Sequence, residues 1–149
     1  MARNDHRLTN GVAVVTGAGG GLGRALAVEL THHGVRVVGI GRGEAGLQKT
    51  ADLASGSFTP VQADVSDYAA VDAAFEKITT DLGAPVLLIN NAAVYPRRDL
   101  LDETTDSFMA TVSVNLGGVV ACTGAALRGM VQTGFGRIVN VATFADMHP

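Results

Sequence analysis

The sequence predicts an α/β fold, a doubly wound parallel sheet with helices on both faces. Three observations carry that prediction. Strand-like and helix-like patterns alternate along almost the whole chain, as parallel strands joined by crossover helices require. Several strand candidates are unbroken apolar runs, such as Val86-Leu87-Leu88-Ile89, which suits strands covered on both faces. The first strand runs straight into a glycine cluster, Gly17-Ala18-Gly19-Gly20-Gly21-Leu22-Gly23, and the cluster opens a helix.

The elements follow in order. Val12–Thr16 is an apolar, β-branched run and reads as the first strand. Gly21–His33 is the first helix, built on Ala25-Leu26-Ala27-Val28-Glu29-Leu30, with Gly34 at its C-terminal turn. Val35–Ile40 is the second strand, and Glu44–Ala54 the second helix. Ser57–Gln62 is the third strand, followed by a helix over Asp67–Leu82 with Ser66 as N-cap and Gly83 as terminator. Val86–Asn90 is the fourth strand. A long helix over Thr105–Val131 starts after Thr104 as N-cap and ends before Gly134; Arg137–Val141 is the fifth strand, and the sheet is expected to be truncated after it. No repeat, low-complexity stretch or linker interrupts the pattern, so residues 1–149 are expected to form one domain.

The long helix is apolar on more than one face, because Phe108, Val112, Val114, Leu116, Val119, Val120, Ala121 and Leu127 form no single stripe. One side is expected to pack on the sheet. The other needs a partner, from elsewhere in the fold or from a second subunit.

Composition bounds the function. The chain has 149 residues, 47% of them hydrophobic, enough for one well-packed core and too few for two. A net charge of −3 gives no reason to expect nucleic acid or an anionic membrane as partner. The single cysteine, Cys122, cannot close an internal disulfide and reads as a core residue. The start of the chain is polar, without a signal-peptide core, and no apolar run reads as long enough to span a bilayer. A soluble cytoplasmic protein is the expectation.

The glycine cluster is the build of a site for a nucleotide pyrophosphate. Without side chains the backbone N–H groups approach phosphate closely, and the start of the next helix adds free N–H groups and partial positive charge. The spacing is Gly17-x-x-x-Gly21-x-Gly23, with Thr16 in front. A nucleoside triphosphate with magnesium fits poorly, since no Gly-Lys-Ser/Thr follows the glycines and Arg24 does not replace that lysine. At the end of the second strand, where a carboxylate commonly takes the adenosine ribose, the chain reads Gly39-Ile40-Gly41-Arg42-Gly43. A guanidinium there suits a 2′-phosphate, so NADP is favoured, with NAD the second candidate. The bland alternative is a solvated arginine at a strand end. Asp64-Val65 follows the third strand, where Asp64 can accept from the adenine amino group while the Val65 backbone touches the ring; alone, Asp64 reads as a helix-start residue. Asn90-Asn91-Ala92-Ala93 ends the fourth strand, where two amides can tie neighbouring strands and small residues leave room for a flat ligand.

Together these residues resemble the short-chain dehydrogenase/reductase family. The matching pieces are Thr16-Gly17-x-x-x-Gly21-x-Gly23, Asp64-Val65, Asn90-Asn91-Ala92-Ala93, Asn115 and Gly136-Arg137-Ile138-Val139-Asn140-Val141. They stand in order over nearly the whole chain from residue 11. The resemblance implies a Rossmann fold and hydride transfer between NAD(P) and an alcohol or carbonyl. It assigns Gly17, Gly19, Gly21, Leu22 and Gly23 to the phosphates, Asp64 and Val65 to adenine, and Asn90 and Ala92 to the ribose region. Asn115 matches the helix asparagine that holds a water in the family's proton relay. Assembly as a homo-oligomer through the long helix is a further family expectation.

Departures concern catalysis. Thr143 stands where the family has its substrate-holding serine; it keeps a hydroxyl and adds a methyl group and a stiffer χ1. Ala93 replaces a common glycine, and Gly19 replaces a common phosphate-binding serine. The family's acid is a tyrosine followed four residues later by a lysine. Here Tyr68 and Tyr95 are followed at that spacing by Asp72 and Asp99, and the only lysines are Lys49 and Lys77. The position of that tyrosine falls beyond Pro149, so the chain is expected to be a partial form carrying the cofactor half of a reductase, with little turnover. The alternative is a non-catalytic NADP-binding or dimerising module. His32-His33 suits a helix C-terminus better than a metal, Arg97-Arg98 reads as a solvated loop, and Asp146 and His148 do not stand at the tyrosine's spacing.

Overall fold

The computed structural model describes residues 6–54, 56–97 and 99–143. Five parallel strands form one sheet: β1 (Val12–Thr16), β2 (Arg36–Gly41), β3 (Phe58–Gln62), β4 (Pro85–Asn90) and β5 (Arg137–Asn140), in the order β3-β2-β1-β4-β5. The chain steps outward from β1 to β3, then returns to place β4 on the other side of β1. That reversal opens a crevice at the carboxyl ends of β1 and β4, the place where open α/β sheets take ligands.

Side-chain alternation along β1 divides the core into two layers. Val12 and Val14 join Val38, Ile40 and Leu88 beneath α4 (Tyr68–Leu82) and α6 (Gly118–Thr133), with Val71, Phe75, Ile78, Cys122, Ala126 and Met130 from the helices. Ala13 and Val15 point the other way, onto α2 (Gly21–His32) and α3 (Glu44–Leu53) through Ala27 and Leu47. All five β1 residues are buried, which explains the unbroken apolar run. β3 is an edge strand and accommodates Pro60. Burial pushes the Cys122 thiol up to about 11, in keeping with a core role.

Predicted elements are all present, with ends shifted by one or two residues; a short helix α1 (His6–Thr9) was not foreseen. Gly34, Gly83 and Gly134 all have positive φ, as expected of helix terminators. Two local assignments need correction. The N-cap of α4 is Asp67, whose side chain accepts from the Ala70 N–H, because Ser66 is already engaged with Asp64. The long helix is not uniform: α5 (Thr105–Val112), capped by Thr104 as expected, passes into a π-helical turn over Ser113–Gly117 before α6. The π turn coincides with Asn115, whose amide is held from outside the helix by Val94, and with Gly117, where a Cβ would stand 2.1 Å from the Tyr68 hydroxyl. The expectation about membrane-length runs also changes: the continuous rod Thr105–Thr133 has 29 residues and contains an 18-residue window with a mean hydropathy of 1.5, enough to cross a bilayer by length and composition alone. Cys122, Ala126 and Met130 set one side of it against the sheet, while Phe108, Leu116, Val120 and Val131 are exposed.

Candidate nucleotide site

The crevice is held open by its own stitching. Thr16, at the end of β1, is buried, and its Oγ1 accepts from the N–H groups of Asn91 and Ala92 at 3.0 Å each while lying 3.4 Å from the Ile89 carbonyl. Asn91 returns the bond, Nδ2 donating to the Thr16 carbonyl at 3.0 Å. Gly17 then turns the chain at φ +68°, where a Cβ would stand 2.9 Å from Ala92 Cα. A Cβ on Gly23 would lie 2.3 Å from the Gly17 carbonyl oxygen, so the first turn of α2 packs directly on the loop. Gly20 and Gly21, by contrast, face open space. Gly20 is the N-cap and supplies no side-chain hydrogen bond, which leaves the first N–H groups of α2 for an anion. The loop therefore fits a phosphate-bearing nucleotide.

Across the crevice, Arg42 follows β2. Its carbonyl accepts from Gln62 Nε2 at 2.8 Å, and its exposed guanidinium lies 3.9 Å from Asp64 Oδ2. The other Asp64 oxygen accepts from Ser66 Oγ at 2.7 Å and Ser66 N–H at 2.9 Å. These two bonds hold the Asp64 carboxyl below its ordinary range, the hydroxyl having the larger effect; burial opposes them weakly and Arg42 adds a small pull in the same direction. A depressed folded pKa stabilises the fold above the unfolded carboxylate value and stops doing so as pH falls through the folded value. Asp64→Asn is therefore expected to melt below wild type at neutral pH, with the gap closing progressively below about pH 4. Melting curves from pH 7 to pH 3 check this, and a constant gap would remove the carboxylate from the account.

A cleft of about 270 Å³ joins the two sides. It brings together Gly17, Arg42, Asp64, Val65 and Ala92 from the sequence reading, and adds Gly20, Ile40, Asn91, Val94 and Val114. Gly19 lines an adjoining shallow depression with Arg42, Gly43 and Gly46. Other candidates stand outside. Leu22 is exposed on the first turn of α2, behind Gly21, and Gly23 is buried beneath the loop. Asn90 is buried under the floor, Nδ2 donating to Asn140 Oδ1 at 2.9 Å and Thr123 Oγ1 at 3.2 Å, with its own Oδ1 unpartnered among the described residues. Asn115 pairs with the Val94 backbone in both directions, at 2.8 and 2.9 Å, and so fixes the loop that forms the cleft wall. Thr143 is exposed just past β5. Arg98, Asp146 and His148 lie outside the described residues. The sequence reading missed Val94 and Val114 as wall residues; their only signal was adjacency to Ala93 and Asn115.

Comparison with known proteins agrees with this fold. The sequence profile for short chain dehydrogenase matches residues 11–149. A 3-oxoacyl-(acyl-carrier-protein) reductase of Pseudomonas aeruginosa is 33% identical over 135 residues, 89% of this chain and 55% of that protein. A meso-2,3-butanediol dehydrogenase of Serratia marcescens is 34% identical, across 95% of this chain and 56% of its own length. The chain thus spans about half the length of these curated relatives. Among solved structures, a metagenomic short-chain oxidoreductase in complex with NADP superposes with a TM-score of 0.87 at 29% identity, covering 95% of this chain and 66% of that one. A short chain dehydrogenase from Bacillus anthracis gives 0.87 at 28% identity, covering 95% and 61%.

Proposed function

This chain belongs to the short-chain dehydrogenase family, and from that premise we propose that residues 1–149 form an NADP(H)-binding domain serving hydride transfer on an alcohol or carbonyl substrate. The observation that carries the reading is the cleft itself, which sets an uncapped glycine-rich helix start opposite a paired Arg42 and Asp64. Gly17, Gly19, Gly21 and the Leu22 N–H meet the diphosphate, and Gly23 serves it by letting α2 approach. Arg42 takes the 2′-phosphate, which selects NADP over NAD; Asp64 and Val65 take adenine; Ala92 meets the ribose, with Asn90 bracing the strand end below. When bound, the nicotinamide supplies or accepts the hydride. Thr143 donates to the substrate oxygen, and Asn115 orders the loop and helix beside it. The exposed apolar side of the long helix supports assembly with a second copy.

A second reading, a binding module without turnover, is favoured by one feature. Neither Tyr68 nor Tyr95 has a lysine four residues on, so neither forms the tyrosine–lysine pair that a proton donor of the family type would use. The test is titration of the purified chain with NADPH and NADH by nucleotide fluorescence, followed by a carbonyl-reduction assay. Saturable NADPH binding tighter than NADH is expected, with turnover separating the two readings. Absence of saturable binding by either nucleotide would overturn both.

A further inference from the structure

Arg24 is a basic side chain beside the phosphate loop that the proposed function leaves idle, and its contacts show why. Nη2 donates to the carbonyl oxygens of Gly19 and, at 3.2 Å, Gly46, and Nε donates to Thr50 Oγ1 at 3.0 Å. Thr50, fully buried on α3, in turn donates from Oγ1 to the Ala18 carbonyl at 2.8 Å. Two consecutive carbonyls of the phosphate loop, those of Ala18 and Gly19, are therefore fastened to α3. The approach depends on a missing side chain, since a Cβ on Gly46 would stand 2.7 Å from the Gly19 carbonyl oxygen. Glycine at position 46 costs helix propensity, and α3 carries it where loop and helix touch.

We propose that Arg24, Thr50 and Gly46 form a clamp that sets the shape of the phosphate loop and joins it to the segment carrying Arg42. Arg24 is a positioning residue and touches no phosphate. Its guanidinium is committed to backbone carbonyls and a hydroxyl, which turns those carbonyls toward α3 and leaves the loop's N–H groups to a ligand. Because α3 begins at Glu44, two residues past Arg42, the clamp also fixes the distance between the diphosphate and 2′-phosphate ends of the cleft. The inference rests on the nucleotide-binding reading.

The test uses the full chain with Arg24→Met, Gly46→Ala and the double variant, titrated with NADPH and NADH. Loss of a charge-assisted bond predicts dissociation constants raised about tenfold for Arg24→Met. Both nucleotides should weaken by the same factor, since the diphosphate is common to them. Gly46→Ala alters no charge, and the Cβ it adds would stand against the Gly19 carbonyl oxygen, yet it should reproduce the loss. The double variant should be no worse than the poorer single, as members of one clamp are not additive. Loss confined to NADPH would place Arg24 on the 2′-phosphate and overturn the proposal, as would wild-type affinity in Gly46→Ala. Amide exchange at Ala18, whose N–H donates to Ile40 at 3.1 Å, gives a readout without nucleotide. Faster exchange in both variants supports the clamp even if the wild-type chain binds neither nucleotide, a result that would sink the functional reading alone. Unchanged exchange would sink the clamp.

Discussion

Gly23→Ala is expected to lower the melting temperature by roughly 5–10 °C and to abolish measurable nucleotide binding. The added Cβ would sit 2.3 Å from the Gly17 carbonyl oxygen and 2.5 Å from Asn91 Nδ2. The first of these is backbone and cannot swing aside. Relief requires α2 to move off the loop or the loop to move off β4. The second route breaks the bond from Asn91 to the Thr16 carbonyl that closes the crevice floor. Overpacking of this kind costs about 1–3 kcal/mol. Gly20→Ala is the control: its backbone is extended at φ −172° and a Cβ there meets nothing within 4 Å. It should melt with wild type while weakening NADPH, because the methyl group occupies the ligand's approach and not the packed interface. A Gly23→Ala protein that melts and binds as wild type would refute the close-packing account. Equal melting losses in the two variants would mean that glycine acts here through chain flexibility alone.

The contrast between these two glycines shows what was legible in the sequence. Strand, glycine cluster and helix in succession mark a loop whose backbone suits a phosphate, because backbone chemistry dictates that order. The sequence does not separate a glycine that faces the ligand from one that faces a neighbouring strand, since both needs remove the same side chain. The same limit applies at Asn90 and Asn91. The doublet signalled strand-tying amides, and Asn91 ties β4 to β1 while Asn90 turns to β5 and Thr123. Which amide faces which way follows from strand pairing, a long-range property. The π turn at Ser113–Gly117 left no mark in the local pattern; it coincides with Asn115, whose amide is held from outside the helix by the Val94 backbone. Ser66 was misjudged as a cap for a similar reason: two adjacent residues carried suitable oxygens, and Asp64 claimed one of them. Val94 and Val114 both line the cleft, and the Asn115–Val94 pairing ties together the loop and the helix that carry them.

Arg42→Asp is expected to reverse the nucleotide preference, raising the NADPH dissociation constant about a hundredfold while lowering that of NADH modestly. Arg42 is exposed and its backbone is pinned by Gln62, so the guanidinium is free to swing onto a phosphate while its base stays fixed. At 3.9 Å its contact with Asp64 is long and partly solvated, and so a weak competitor for a dianionic phosphate. Aspartate removes the cation and adds repulsion, and it offers an acceptor to the ribose hydroxyls of NADH. It would also stand beside Asp64, and two neighbouring carboxylates raise each other's affinity for protons. The gain for NADH should therefore grow with pH through the weakly acidic range, whereas the loss of NADPH should persist throughout. Arg42→Ala separates the contributions, since it removes attraction without adding repulsion and should fall between the two. Added salt should narrow the wild-type preference and leave the aspartate variant's NADH affinity almost unchanged. Paired titrations with NADPH and NADH at two pH values and two salt concentrations check all of this. A nucleotide ratio unmoved by both substitutions would take Arg42 out of the site and leave selection to another group.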